Sequence, residues 1–223
     1  MNRSLTLLKQ LAALYDLRDC GIDYCDSFKE SVSDGLDVNL QEMSSLIAQC
    51  SLCALSKQRV RKLYPIGGAK KGLMIVVDEP NAYENEEGRW FSGEGGRMLK
   101  NIIERAMRLT IDDIYLTSAI KCHSFGTLSE EYVKRCAPFL INECERVKPN
   151  AILCFGTYAF GALTGSVEKT EKARGRIFSS PFGSVMATFS INHLQRNPAS
   201  KKLTMEDIDL ALKTAEIRRA SSP

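Results

Sequence analysis

Long apolar runs are missing from this chain. None approaches the roughly 20 residues that a membrane span requires, and the leucine-rich start, SLTLLKQLAALYDL, is broken by Lys9 with no small-residue cleavage site behind it. Neither a membrane role nor export is expected, which places the protein in the cytoplasm. Charge of one sign is missing too: 30 basic side chains face 27 acidic ones, a formal net charge of +3. That balance argues against a wholesale nucleic-acid coat but leaves room for a local basic patch. No internal repeat and no low-complexity segment occurs, and 44% hydrophobic with 26% charged residues excludes disorder and collagen. At 223 residues the chain has length for one substantial core plus a short extension.

Cysteine, by contrast, is plentiful. Eight occur, at positions 20, 25, 50, 53, 122, 136, 144 and 154, and without an export signal disulfides are the minority reading. Only Cys50 and Cys53 show the two-residue gap that lets consecutive thiolates face one ion or cluster. Cys122 and Cys136 form a second, separated pair that can converge on the first. On spacing alone zinc, an iron–sulfur cluster and no metal at all remain open. Cys144 and Cys154 fall on an amphipathic helix and within a buried strand and read as small buried hydrophobes; Cys20 and Cys25 stay unassigned.

The first 47 residues carry two amphipathic helical stretches joined by a polar Ser/Asp segment. From residue 72 short apolar runs (GLMIVV, DIYLTSAI, AILCFG, SVMATFS) alternate with longer amphipathic ones. Runs that are apolar throughout and rich in Ile and Val suit strands buried on both faces. The expected fold is an α/β three-layer α/β/α sandwich around a central, mainly parallel four-stranded sheet. In such sheets ligands bind beyond the carboxyl ends of the strands, here the loops beginning at Asp78, Thr117, Gly156 and Ser190.

Six ordered blocks, within a match over roughly residues 42 to 212, resemble the iron–sulfur (family 4) uracil-DNA glycosylases. CSLCALSKQR (residues 50–59) matches the family's C-x-x-C-x-L opening followed by an arginine. VDEPNAYENEEGRWFSGEGG (77–96) is similar to its GEAPGxxEDxxGxPFVGxAG loop, and YLTSAIKC (115–122) to YITNxxKC. FGTYA (155–159), RGRIF (174–178) and TFSINHLQRNP (188–198) follow in the family's order. The resemblance implies a uracil-DNA glycosylase-like domain over residues 42–215 behind a helical N-terminal extension, residues 1–41. It further implies a [4Fe-4S] cluster on Cys50, Cys53, Cys122 and Cys136, with structural zinc as runner-up, and DNA as partner of a monomeric enzyme.

Excising a base hydrolyses an N-glycosidic bond through an oxocarbenium-like sugar while negative charge develops on the departing base. The site needs a carboxylate near the sugar, donors near the base oxygens and an aromatic wall. By resemblance, Phe91 is the stacking wall and Glu84 the glutamate that crowds the thymine methyl position. Asp78 holds the family's glutamate position. Glu79 replaces an alanine, at the place where GQDPY-loop uracil-DNA glycosylases carry their water-activating aspartate, so Glu79, or Asp78 beside it, is the expected general base.

Several residues depart from the pattern. Ser118 replaces the uracil-reading asparagine and cannot present a paired donor and acceptor. Ser190 aligns with the leaving-group histidine, with His193 close by as a substitute. Val77 and Asn81 replace glycines where backbone approaches the base, which narrows the pocket. Six basic residues and no acid lie between Lys57 and Lys71; Arg59, Arg61 and Lys62 there are expected on DNA phosphates, with Arg196 near the last strand and Leu194 or Gln195 as the side chain inserted into the helix. The leading expectation is a base-excision repair glycosylase acting on uracil. The competing one is a catalytically degenerate, cluster-bearing nucleic-acid-binding protein that lost excision when Ser118 and Ser190 arrived.

Overall fold

The computed structural model describes residues 40–126 and 128–217, together with Leu8 and Leu11. The expected helical extension over residues 1–41 otherwise lies outside the described residues, as do Cys20 and Cys25.

The chain begins with helices α1 (Leu40–Gln49) and α2 (Leu55–Gln58), then strand β1 (Leu73–Val77). Helices α3 (Ala82–Glu87) and α4 (Gly93–Asn101) follow, the latter running into a π-helical turn, Ile102–Ala106. A 3₁₀ turn, Ile111–Asp113, leads into β2 (Ile114–Ser118), α5 (Glu130–Val147), β3 (Ala151–Phe155), α6 (Thr157–Thr164) and α7 (Thr170–Ala173). The chain closes with the hairpin β4 (Phe178–Ser180) and β5 (Gly183–Thr188), then α8 (Ile191–Arg196) and α9 (Ser200–Thr214). The sheet order is β2-β1-β3-β5-β4, parallel except for the β4–β5 pair.

Alternation along each strand sorts the core into two layers. Leu73, Ile75, Val77, Ile114, Leu116, Leu153, Phe155 and Met186 face one side, where α4, the π-helical turn after it and α9 supply Leu99, Ile103, Ile208 and Leu212. Met74, Val76, Tyr115, Ile152, Cys154 and Val185 face the other, against Leu140 and Cys144 of α5 and Phe160 of α6. Both faces are thus covered by helices, and runs such as LMIVV need no polar alternation.

The four expected strands are all present, and the structure adds a fifth. Strand β4 is three residues long and half-exposed, too short to register as an apolar run. It pairs antiparallel with β5 across Pro181 and Phe182. Cys144 and Cys154 are fully buried in the second layer, as small hydrophobes.

A third apolar cluster lies to the side of the sheet. Met43, Leu46 and Ile47 of α1 pack with Leu52, Leu55, Ile120, Val133 and Phe139, and all four cysteines of the two pairs sit among them. No helix among the described residues is long and apolar enough to cross a membrane.

Candidate active site and thiol cluster

The loop after β1 carries Asp78 and Glu79 to the carboxyl edge of the sheet. There a half-open pocket of about 60 Å³ is lined by Asp78, Glu79, Asn81, Glu84, Trp90 and Ser190, among others. An open cleft of about 550 Å³ adjoins it, walled by Ser124, Gln195 and Arg196. Glu79, Leu128 and Asn192 belong to both walls, so Glu79 stands where pocket and cleft meet.

The two carboxylates are held differently. Asp78 Oδ1 accepts the Ala159 N–H at 2.8 Å, at the N-terminus of α6. A Cβ on Gly156 (φ +119°) would collide with the Asp78 carboxylate, so glycine is required for this approach. Burial pushes the Asp78 carboxyl up to about 7, against the pull of the Ala159 amide, and the Glu79 charge adds to the rise. Glu79 turns the other way: Oε2 accepts the Ser124 N–H at 2.6 Å and Oε1 the Ser124 hydroxyl at 3.0 Å. His123 Nδ1 lies 3.7 Å from Glu79 Oε1 and 2.9 Å from the Pro80 carbonyl oxygen. Burial raises the Glu79 pKa, opposed chiefly by Ser124 and His123. Two neighbouring carboxylates in different environments are pushed toward different protonation states. Asp78 is held up to about 7 by burial although the amide at the helix end pulls it down, so its neutral form is well populated near pH 7. Glu79, met by Ser124 and His123, has donors that favour its charged form.

Helix α3 starts with a capping box in which Asn81 accepts the Glu84 N–H and Glu84 accepts the Asn81 N–H. Asn81 also donates to the Ser92 carbonyl at 3.1 Å. Glu84 is buried, and its Oε1 accepts the Phe91 N–H at 3.0 Å; burial lifts its pKa to about 7. Glu84 is therefore no solvated surface acid. It bridges the two ends of the loop and holds Phe91 at φ +68°, a conformation costly for a residue with a Cβ.

The remaining expected site residues fall elsewhere. Phe91 is half-buried against the core and is not part of the cavity wall; Trp90 and Phe155 line it instead. Trp90 is anchored by its indole N–H to the Tyr64 carbonyl at 2.6 Å. Ser118 is buried and outside the cavity wall, with its carbonyl accepting from Lys121, whose ammonium also pairs with buried Glu143. Ser190 does reach the pocket, as N-cap of α8, accepting the His193 N–H. His193 does not: its ring stacks on Phe189 and its Nε2 lies 3.0 Å from Ser200 Oγ. Leu194 is corrected as well. It is 1% exposed, on the face of α8 turned to the core, and a side chain so placed is not available to a DNA helix; Gln195 next to it lines the cleft. His123 and Ser124 were not singled out from the sequence. Their signal was position: they follow Cys122 in the loop after β2, one of those expected to bear chemistry.

The four thiols of the third cluster are free. They lie close enough for Cys136 to feel Cys122, Cys50 and Cys53, and burial drives its pKa far up. Burial also pushes Cys122 up to about 11, opposed by Arg59. Among the described residues no three His, Cys, Asp or Glu side chains are drawn together around one ion. Cys53, Cys122 and Cys136 are buried and Cys50 is half-buried, and four thiols within one apolar cluster are the donor set that a structural zinc ion or an iron–sulfur cluster takes. Arg59 is bound into this region, donating to backbone carbonyls of residues 47, 48 and 50. Arg61 and Lys62 are exposed, Lys70 and Lys71 pair with Asp112 and Asp113, and Arg196 borders the cleft.

A parallel sheet covered on both faces, with carboxylates at its carboxyl edge and an open cleft beside them, defines an α/β protein with a ligand site at the sheet edge. Residues 64–211 match the Uracil DNA glycosylase superfamily, and the chain belongs to that superfamily. It is 29% identical over 181 residues to a type-4 uracil-DNA glycosylase of Pyrobaculum aerophilum, covering 77% of this chain and 92% of that protein. A type-4 uracil-DNA glycosylase of Thermotoga maritima is 25% identical over 178 residues, with the same coverage. A type-5 uracil-DNA glycosylase of Pyrobaculum aerophilum is 26% identical over 172 residues, 70% of this chain and 75% of that protein.

Proposed function

We propose that this chain is a monomeric, cytoplasmic base-excision repair glycosylase that flips uracil out of DNA and hydrolyses its N-glycosidic bond over the domain at residues 42–215. One observation carries the assignment of the base: among the described carboxylates, Glu79 alone borders both the pocket and the open cleft. A flipped nucleotide with its base in the pocket and its backbone in the cleft has its sugar at that junction. Glu79 there accepts a proton from the attacking water and faces the positive charge that builds on the sugar. In this reading the Ser190 hydroxyl and the Asn192 amide, which also line the pocket, donate to the departing base. Asp78, capping α6 in a neutral form, positions the loop without competing as base.

Cys50, Cys53, Cys122 and Cys136 would hold a [4Fe-4S] cluster, which when bound cross-links α1, the loop after β2 and α5. The degenerate binding-protein alternative is not favoured, since the relatives named above are glycosylases. The test is single-turnover cleavage of oligonucleotides bearing one uracil by anaerobically purified protein, with E79A alongside. Excision abolished by that change supports the reading; no excision from protein that binds the oligonucleotide and carries its iron overturns it.

A further inference from the structure

Arg59 sits at the head of the basic run and reads in sequence as a phosphate contact. Its hydrogen bonds say otherwise. Nη1 donates to the Ile47 carbonyl at 3.0 Å and to Cys122 Sγ at 3.7 Å. Nη2 donates to the carbonyls of Ala48 at 3.0 Å and Cys50 at 3.1 Å. A guanidinium has five N–H donors, and all four on the terminal nitrogens have acceptors here. The planar fork that grips a phosphate bidentately is therefore spent.

The acceptors are as informative as the donors. Ile47 and Ala48 belong to the last turn of α1, whose final carbonyls have no partner within the helix and carry its negative dipole end. Cys50 and Cys122 are two of the four candidate cluster ligands, far apart in the chain. One cation therefore ties the end of α1, the backbone of the first thiol pair and the sulfur of the second.

We propose that Arg59 is a cluster-positioning residue, whose guanidinium orients the Cys122 and Cys50 thiolates and draws electron density from the cluster through its N–H···S contact. This rests on the [4Fe-4S] assignment made above. Hydrogen bonds to ligating sulfurs weaken the metal–sulfur bond and favour the more reduced cluster. Lysine keeps the charge but, as a point donor, cannot span three carbonyls and a sulfur.

The segment that follows carries the grip onward. The Val60 N–H reaches Asn85 Oδ1 and the Arg61 N–H the Asn85 carbonyl, at 3.2 and 2.9 Å. Asn85 lies on α3, beside the capping box that shapes the pocket.

The experiment compares full-length wild type, R59K, R59Q and R61Q, all purified anaerobically, by iron and zinc analysis, resonance Raman spectroscopy and iron release to a chelator. The expected result is a shift of the Fe–S(Cys) stretching bands to higher frequency in R59Q, a smaller shift in R59K and none in R61Q. Iron release from R59Q should nonetheless quicken by about tenfold, because the carbonyl contacts that hold the ligand-bearing segments in place are lost as well. If R59Q fails to fold, R59K carries the test. Unmoved bands and release rates in iron-loaded R59 variants overturn the assignment. Wild type that holds zinc, or no metal, overturns the cluster reading beneath it, and shows this before any variant is compared.

Discussion

The thiol cluster and the carboxylate pocket use burial to opposite ends. Around Cys53, Cys122 and Cys136, apolar side chains of α1 and α5 exclude water from groups that ordinarily prefer the neutral thiol. A bound cation or cluster reverses that preference, so this region is completed by its ligand. At the sheet edge, Asp78 and Glu84 are lifted to about 7 by the same exclusion of water, with only backbone amides as compensation. That site stores electrostatic cost for chemistry. The two regions share one short piece of chain: Cys122 belongs to the first, and Ser124, which grips Glu79 with two hydrogen bonds, to the second.

If the thiol region is completed by its ligand, removing one thiol should have the largest effect of any single change. C136S is expected to lose iron and to melt far below wild type, the loss exceeding about 4 kcal/mol as for other structural metal sites. Iron analysis with a thermal melt followed by circular dichroism checks this. An iron-free C136S that melts like wild type would break the comparison, since the thiols would then be ordinary core.

E79Q probes the other region and should leave the fold intact. Glutamine keeps an acceptor for Ser124 but cannot take a proton, and single-turnover excision is expected to fall by roughly 10²–10³-fold. The wild-type rate should decline with falling pH through a pKa above the ordinary glutamate range, since burial raises Glu79 and only the ionised form acts as base. E79Q should show a flat profile over the same interval. A wild-type rate that holds down to pH 4 would remove Glu79 from the role.

The sheet was legible because burial on both faces leaves a simple mark: unbroken runs such as LMIVV and AILCF. Strand β4 escaped because FSS lies at an edge, where neighbouring backbone rather than hydrophobicity makes the strand. The cysteine positions were legible as chemistry, and their gathering into one apolar cluster followed. The roles of single side chains were less so. Leu194 and Phe91 sit in the right blocks, yet their exposure depends on how α8 and the loop after α3 are rotated, which spacing does not encode. Arg59 looks like its neighbours Arg61 and Lys62 in a basic run, and only the carbonyls at the end of α1 set it apart. Ser124 carries no motif at all; it matters because the loop after β2 meets the loop after β1.

The neutral role of Asp78 predicts a smaller effect, on stability rather than rate. Its carboxyl titrates near 7 in the fold and near 3.8 unfolded. A carboxyl with a raised folded pKa favours the native state fully below pH 4, and that contribution is lost as pH rises through 7. D78N removes the buried charge while keeping an acceptor for the Ala159 N–H. It should match wild type at pH 4 and exceed it at pH 8 by about 2 kcal/mol, after discounting for partial exposure. Denaturant melts at both pH values decide it. Equal stability at pH 8 would mean that the pocket stores no such cost.

The smallest effect separates cations that look alike in sequence. Arg61 and Lys62 are exposed, Arg61 beside helix α3, whereas the terminal donors of Arg59 are engaged. Each phosphate contact removed should flatten the slope of log Kd against log salt by about 0.9. R61Q and K62Q are each expected to show that change, at a cost near 1 kcal/mol in affinity at moderate salt, with no loss of iron. Iron-loaded R59K, which keeps the positive charge, should leave the slope where it is in wild type, because its arginine makes no phosphate contact to lose. Fluorescence anisotropy titrations with an abasic-site oligonucleotide, repeated across a salt series, measure all three. A slope that changes in R59K and holds in R61Q would exchange the roles of these residues and move the DNA path onto the thiol cluster itself.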